Sequence, residues 1–137
     1  MVAPCPQPVM ITTTGRIGEY TTLIELIYDP SDPWAIVMIP KDKSGSVPWV
    51  FARDLLDEGL VARNDGEVTG EGDVVFARTS YDVLTITLRT PWGQADIAMS
   101  AEVLIDFLED TFAQVRAGEE ASMVDWNVEL SRVRSGL

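Results

Sequence analysis

Residues 83–110 read VLTITLRTPWGQADIAMSAEVLIDFLED, and this stretch contains one change in the spacing of its apolar residues. From Val83 to Thr90, apolar and polar residues alternate, which is typical of an antiparallel strand that buries one face. The segment Thr90–Gly93 has proline at its second position and glycine at its fourth, as a type I turn prefers. We therefore predict a hairpin in which Gln94–Met99 returns beside the first strand.

From Ser100 onwards the spacing of the apolar residues becomes helical. Ser100 is a good N-cap residue because its side-chain oxygen can accept a hydrogen bond from an N–H group of the first turn. Apolar residues then recur every three or four positions, and acidic residues occupy the opposite face. The apolar stripe consists of Val103, Phe107, Leu108 and Phe112. The stretch therefore predicts a long amphipathic helix that covers one face of a sheet.

Other β-rich segments complete the predicted sheet. Asp29–Pro33 (DPSDP) contains two Asp-Pro steps, which favour a turn, so the runs on either side of it are predicted to form a hairpin. The predicted strands are Val9–Thr14, Tyr20–Asp29, Trp34–Pro40, Val47–Phe51, Leu60–Arg63 and Asp73–Ala77. A last short helix is predicted from about Asp125. The fold class is therefore α+β, in a single domain of residues 1–137 whose residues 1–8 are expected to be poorly ordered.

Residues 48–60 read PWVFARDLLDEGL and predict a strand that passes directly into a short helix. Such a helix is marginal alone, so its leucine pair must pack against the sheet. Helical spacing places Arg53 and Asp54 on the outer side, and Gly59 is predicted to end the helix as its C′ residue. The Arg53–Asp54 pair has two interpretations. It is either a pair of solvated charges at a helix start or a contact with a partner or a second subunit.

The chain contains no histidine, and its single cysteine is Cys5. Without imidazole, the Ser-His-Asp and Cys-His nucleophile systems and His-ligated zinc or iron are excluded, and one thiol cannot build a thiolate metal cluster. Asp29 and Asp32 could be imagined as a general acid–base pair, but aspartate before proline is a common turn device. We therefore expect a protein that is not an enzyme and that uses no metal or other cofactor.

The formal net charge is −12, from 22 acidic and 10 basic residues. This charge works against nucleic-acid binding, which needs clustered lysine and arginine, and it suits a basic patch on a protein partner. No apolar run is long enough for a membrane span, and the N-terminus lacks the features of an export signal. The sequence therefore predicts a cytoplasmic protein.

The four tryptophans fall in different contexts. Trp34 and Trp49 lie in apolar strand runs and are expected in the core. Trp92 lies at the tip of the predicted turn, where the indole should be exposed, so it is a candidate for a partner or oligomer contact. Trp126 lies in the predicted last helix and could serve either the core or docking.

Several motifs together resemble the SsgA-like proteins of actinomycetes. They are Tyr28–Met38 (YDPSDPWAIVM), Trp49–Leu60 (WVFARDLLDEGL), Gly70–Ala77 (GEGDVVFA), Leu104–Thr111 (LIDFLEDT) and Val124–Val133 (VDWNVELSRV). The two Asp-Pro steps followed by W-V-F-A-R-D-L-L form a specific combination, and the resemblance covers nearly the whole chain from about residue 18.

This resemblance implies a non-enzymatic regulator of sporulation-specific cell division that helps to choose septum sites through protein–protein contacts. It also implies a homotrimer, located at division septa, whose partners are division proteins such as the tubulin-like FtsZ or another SsgA-like protein. The implied fold is an antiparallel, barrel-like sheet with helices, similar to the Whirly-type single-stranded nucleic-acid-binding fold. The alternative function is therefore a nucleic-acid-binding module that stacks bases on Trp92. It would need Arg16, Arg63, Arg78 and Arg89 to converge on one face.

Overall fold

The computed structural model describes residues 5–42, 45–61, 68–70 and 72–124. These residues form nine β-strands, two α-helices and one short 3-10 helix. The strands are β1 (Val9–Ile17), β2 (Tyr20–Tyr28), β3 (Ala35–Asp42), β4 (Gly45–Ser46), β5 (Trp49–Ala52), β6 (Val68–Thr69), β7 (Val74–Arg78), β8 (Val83–Thr90) and β9 (Gly93–Ser100). The helices are α1 (Arg53–Val61), α2 (Ala101–Gln114) and the 3-10 helix Glu120–Met123.

The strands form one antiparallel sheet in the order β4-β3-β2-β1-β9-β8-β7-β6, and β5 pairs with β3. The sheet curls into a half-barrel. Both predicted hairpins are confirmed, since β2 pairs with β3 and β8 pairs with β9 in antiparallel register. The predicted α+β class with an antiparallel, barrel-like sheet is therefore confirmed.

The two halves of the sheet meet where β1 pairs with β9, around Gly15. A Cβ atom at Gly15 would lie 2.7 Å from the Cδ1 atom of Ile24 and 2.7 Å from the Cγ2 atom of Ile97. The sequence predicts that the first strand ends before this glycine, but β1 continues to Ile17. Gly15 therefore serves close packing inside a strand, a recognised use of glycine in sheets.

The core lies between one face of the sheet and the helices. Strand β8 alternates as predicted, and α2 buries Phe107 and Leu108 of its predicted apolar stripe, whereas Val103 and Phe112 are half-buried. The Ser100 hydroxyl accepts a hydrogen bond from the Val103 N–H group at 3.3 Å, which confirms the predicted N-cap. The buried residues of these two elements include Leu84, Ile86, Leu88, Leu104, Phe107 and Leu108. The change in apolar spacing within residues 83–110 thus marks the passage of the chain from the sheet layer, at β8 and β9, to the helical layer, at α2.

Helix α1 differs from its prediction at the C-terminal end. It continues through Gly59 to Val61, so the predicted strand at Leu60–Arg63 is wrong at its first two residues, and the rest of that segment lies outside the described residues. Gly59 is buried within the helix, where a Cβ atom would lie 2.8 Å from the Cβ atom of Phe76. Here glycine lets the helix approach β7 and does not end the helix.

The segment after α2 also differs in part. The sequence predicts a linker at residues 116–121, but the 3-10 helix already begins at Glu120. The predicted helix from Asp125 lies outside the described residues.

Candidate functional site

An open groove of about 470 Å³ lies between the ends of β3 and β5 and the β8–β9 hairpin. Its volume is within the usual range of about 300–1,000 Å³ for ligand-sized pockets. Most of its lining is apolar. The principal apolar lining residues are Ile17, Pro40, Val47, Trp49, Leu88 and Trp92. The groove therefore offers an apolar surface to another molecule without requiring the domain to unfold.

Trp92 lies on the rim of this groove, at the tip of the β8–β9 turn. Its side chain is 93% exposed, so the predicted exposure is confirmed. The Thr90 hydroxyl donates to the Gly93 carbonyl at 3.1 Å and accepts from the Trp92 N–H group at 3.3 Å. Gly93 has φ of 149°, a conformation that favours glycine. These bonds hold the turn, and the turn holds a large indole in solvent.

The other two described tryptophans behave differently from each other. Trp49 is half-buried and packs against the core from within the groove, as the sequence predicts in part. Trp34 is 43% exposed, so the prediction that it belongs to the core is wrong. It precedes β3 and belongs to the turn, where its carbonyl accepts the Arg53 N–H group at 2.7 Å. The Trp34 carbonyl therefore anchors the start of α1 through this hydrogen bond, while the indole faces solvent.

The prediction that Arg53 faces outwards is also wrong, because its side chain is only 1% exposed. The guanidinium group donates to the carbonyls of Thr111 at 3.2 Å and Val115 at 2.8 Å, at the C-terminal end of α2. Its Nη2 atom forms an ion pair with the Glu120 Oε1 atom at 3.0 Å. The Arg53 side chain therefore makes its contacts within its own chain and is not accessible to a partner.

Two aromatic rings enclose the same guanidinium group. Its Cζ atom lies 4.8 Å from the centroid of Tyr28 and 4.2 Å from the centroid of Phe112, both within cation–π range. Burial raises the pKa of Tyr28, whose hydroxyl donates to the Pro33 carbonyl at 2.9 Å. Arg53, Tyr28, Phe112 and Glu120 therefore form one cluster, the Arg53 cluster, which joins the start of α1 to β2, to α2 and to the 3-10 helix.

Glu120 remains an anion in this cluster. Burial alone would raise the pKa of its carboxyl group, but backbone N–H groups and the Arg53 guanidinium favour the charged form more strongly, so the pKa is lowered. The sequence analysis missed Glu120, since it lies 67 positions after Arg53 and belongs to no motif. The only local signal was a single arginine between an apolar strand and a leucine pair.

The remaining predicted site residues stay predictions. Asp54 lies in the first turn of α1, where its side chain is exposed while the side chain of the neighbouring Arg53 is buried. Trp126 lies outside the described residues. Trp92 is the predicted contact residue that the structure places on an accessible apolar groove.

The acidic residues considered for chemistry serve turns or solvent. The Asp29 carboxylate accepts the Ser31 N–H group at 2.9 Å, and the Asp29 carbonyl accepts the Asp32 N–H group at 2.9 Å. This is the turn role expected of aspartate before proline. Across the described ranges, no group of three or more acidic or cysteine side chains could hold a metal ion. Of the helices in that part of the chain, none is long and apolar enough to cross a membrane.

Comparisons with known proteins agree on one family. The family model described as Streptomyces sporulation and cell division protein, SsgA, matches residues 23–120. The sporulation-specific cell division protein SsgB of Saccharopolyspora erythraea is 40% identical over 113 residues, which cover 80% of this chain and 77% of that protein.

Two solved structures are similar along nearly their whole length. The SsgA-like sporulation-specific cell division protein of Thermobifida fusca superposes with a TM-score of 0.77 at 26% identity, covering 96% of this chain and 98% of the other. A structure from work linking mutations in SsgB to longitudinal cell division during sporulation of Streptomyces coelicolor gives a TM-score of 0.73 at 32% identity, covering 89% and 99%. This chain belongs to the SsgA family of sporulation and cell division proteins.

Proposed function

We propose that this protein is a non-enzymatic regulator of sporulation-specific cell division that acts on septum-site selection through protein–protein contacts. Its relatives are sporulation-specific cell division proteins. The observation that carries the proposal is the exposed indole of Trp92 beside an apolar groove. Exposed aromatic residues beside apolar pockets are typical anchors of protein interfaces.

The proposed partner is a division protein, such as FtsZ or another SsgA-like protein, met in the cytoplasm at the septum. The groove would receive an apolar segment of that partner, with Trp92 covering it from the turn. The net charge of −12 adds a preference for a partner surface with basic residues and speeds their encounter at low salt. Asp54, exposed on α1, is a second proposed contact.

A pull-down and affinity measurement with purified FtsZ and with a second SsgA-like protein tests this proposal. Trp92→Ala should weaken binding by at least about tenfold, because interface anchors contribute about 2 kcal/mol or more. Tyr81→Ala is the matched control, since Tyr81 is an exposed aromatic residue that precedes β8, whereas Trp92 follows the opposite end of that strand. Unchanged affinity of Trp92→Ala for every division protein tested, or equal weakening by Tyr81→Ala, would argue against the groove.

We do not propose nucleic-acid binding as a second function. The Arg78 guanidinium is occupied by the carbonyls of Leu60, Ser80 and Tyr81. Arg16 pairs with Ala98 of β9, whereas Arg89 pairs with Gln94 at the other end of that strand. Arg63 lies outside the described residues. The described arginines therefore do not form the basic track that single-stranded nucleic acid requires.

A further inference from the structure

Two tryptophans line the groove from opposite sides. Trp49 belongs to β5, is half-buried and packs against the core, so the core holds its indole in place. Trp92 belongs to the β8–β9 turn and is 93% exposed. A segment that enters the groove therefore meets an indole on each side, one supported by the core and one presented by the turn.

A tyrosine extends this aromatic rim at the end of β1. Ile17 lines the groove, and the strand register places Tyr20 of β2 directly opposite Ile17. Side chains of directly opposite residues in an antiparallel pair lie on the same face of the sheet. Tyr20, which is 79% exposed, therefore lies on the groove side of the sheet beside Ile17. The groove is thus bordered by three aromatic residues.

The groove is uncharged, although the chain has a net charge of −12. Its described lining residues include no lysine, arginine, aspartate or glutamate, and the buried side chains of Leu88 and Ile97 contribute to its apolar surface. A charged side chain that entered the groove would lose hydration without gaining a partner of opposite charge. The occupant that fits is therefore an uncharged, apolar segment.

The polar groups of the aromatic rim are hydrogen-bond donors. An indole carries one N–H donor and no acceptor, and a tyrosine hydroxyl can donate. Trp92 and Tyr20 are largely exposed, so their donors are accessible to a ligand. The Thr90 hydroxyl, by contrast, is engaged within the turn by the Gly93 carbonyl and the Trp92 N–H group. The rim therefore suits a ligand that has free carbonyl oxygens.

A proline-rich segment in the polyproline II conformation has the required chemistry. Its carbonyl groups make no internal hydrogen bonds, and each proline lacks the N–H group that an apolar groove would leave unpaired. Its apolar rings can pack on indole faces, and its rigid backbone loses little entropy on binding. An apolar α-helix fits less well, because its carbonyls are bonded internally and would leave the rim donors unused.

We propose that the groove binds a proline-rich segment of a partner in the polyproline II conformation, with proline rings packed between Trp49 and Trp92. Aromatic-lined grooves are a recurring means of recognising such segments. This inference rests on the proposed function, since it names the kind of segment by which the division protein is recognised. Basic residues flanking the prolines would suit the negative charge outside the groove.

NMR titration of the full-length protein with a decaproline peptide tests this inference. The indole N–H signals of Trp49 and Trp92 should shift until they saturate, whereas that of Trp34, an exposed tryptophan outside the groove lining, should not shift. Trp92→Ala should weaken peptide binding by at least about tenfold, and Tyr20→Ala should weaken it as well. Tyr81→Ala is the control variant and should bind like the unmodified protein. A Gly-Ser peptide of equal length is the control ligand and should give no shift.

Three results would overturn the inference. They are the absence of saturable shifts at Trp49 and Trp92, equal shifts with the Gly-Ser peptide, and unchanged decaproline affinity of Trp92→Ala. Competition with a division protein separates this inference from the proposed function. Binding of the division protein that depends on Trp92 but is not displaced by decaproline would overturn the inference and leave the proposed function standing. Saturable, Trp92-dependent decaproline binding by a protein that binds no division protein would support the groove chemistry and contradict the proposed function.

Discussion

At the scale of single residues, Arg53 is the clearest case in which environment decides the role of a side chain. In the sequence it looks like half of a charged pair at a helix start. In the structure it is buried, and the carbonyls at the end of α2, two aromatic rings and the Glu120 carboxylate surround it. A buried ion pair adds little net stability by itself, but losing one partner leaves an uncompensated charge.

The lowered pKa of Glu120 gives a pH-dependent prediction for Glu120→Gln. A carboxyl group whose folded pKa lies below its unfolded value contributes stability above the unfolded pKa, about 4.3, and loses that contribution as pH falls through the folded pKa. We expect Glu120→Gln to lower the free energy of unfolding by about 1–3 kcal/mol at pH 7. The difference from the unmodified protein should shrink as the pH falls below about 4.

Urea unfolding at several pH values measures this difference. Glu119→Gln is the matched control because the neighbouring Glu119 is exposed, so its effect should stay within about 0.5 kcal/mol. A gap between Glu120→Gln and the unmodified protein that is constant from pH 7 to pH 3 would contradict the role of the charged carboxylate.

At the scale of elements, α1 is held by its packing against β5 and β7. Phe51 and Phe76 meet edge to face, with ring centroids 5.2 Å apart, and Gly59 lies directly over Phe76. The sequence predicts the existence of this helix from the leucine pair. It does not predict where the helix ends, because a glycine near a helix terminus usually marks the end and only the neighbouring strand reveals the second use.

Gly59→Ala should therefore destabilise the protein, although alanine is normally the better helix residue by about 1 kcal/mol. The added methyl group would lie 2.8 Å from the Phe76 Cβ atom, so we expect a loss of about 1–3 kcal/mol from overpacking. Thermal or urea unfolding measures the change. Glu58→Ala, at an exposed position of the same helix, is the control and should stay within about 0.5 kcal/mol. A stabilised Gly59→Ala variant would show that helix propensity outweighs the contact.

At the scale of the whole molecule, one row of apolar residues crosses the outward face of the sheet. This row, the outer row, consists of Met10, Ile27, Val37 and Val50, which the strand register places side by side. Antiparallel sheets in monomers commonly place polar residues on their solvent side, yet the outer row crosses four adjacent strands. Apolar patches of this kind mark association surfaces. We therefore propose that the homotrimer implied by the family resemblance forms through this face.

Ile27→Lys, at the centre of the outer row, should convert the trimer to monomers, because a lysine there would face an apolar neighbour. Light scattering at tens of micromolar should give about three chain masses for the unmodified protein and one for the variant. Thr12→Lys, on the outer face of β1 but outside the row, is the control and should remain a trimer. A monomeric unmodified protein would contradict the assembly, and a trimeric Ile27→Lys variant would move the interface elsewhere.

The local pattern of the sequence was sufficient for the elements that depend on neighbouring residues. Alternation gave β8, the Pro–Gly turn gave its hairpin, and Ser100 with the apolar stripe gave α2. The exposure of Trp92 followed for the same reason, since the tip of a tight turn has no layer above it. These features depend only on residues within about ten positions of each other in the sequence, and the spacing of apolar residues indicates such local structure.

Tertiary structure decided the features that join distant positions. The Arg53–Glu120 pair spans 67 positions, and the groove collects residues from the ends of several strands. Gly15 and Gly59 are required by side chains on neighbouring strands. Trp34 lies outside the core because the turn includes Trp34 and β3 begins only at Ala35, whereas the apolar run in the sequence begins at Trp34. The spacing of residues along the sequence does not show which distant segments come into contact. The curl of the sheet determines those contacts.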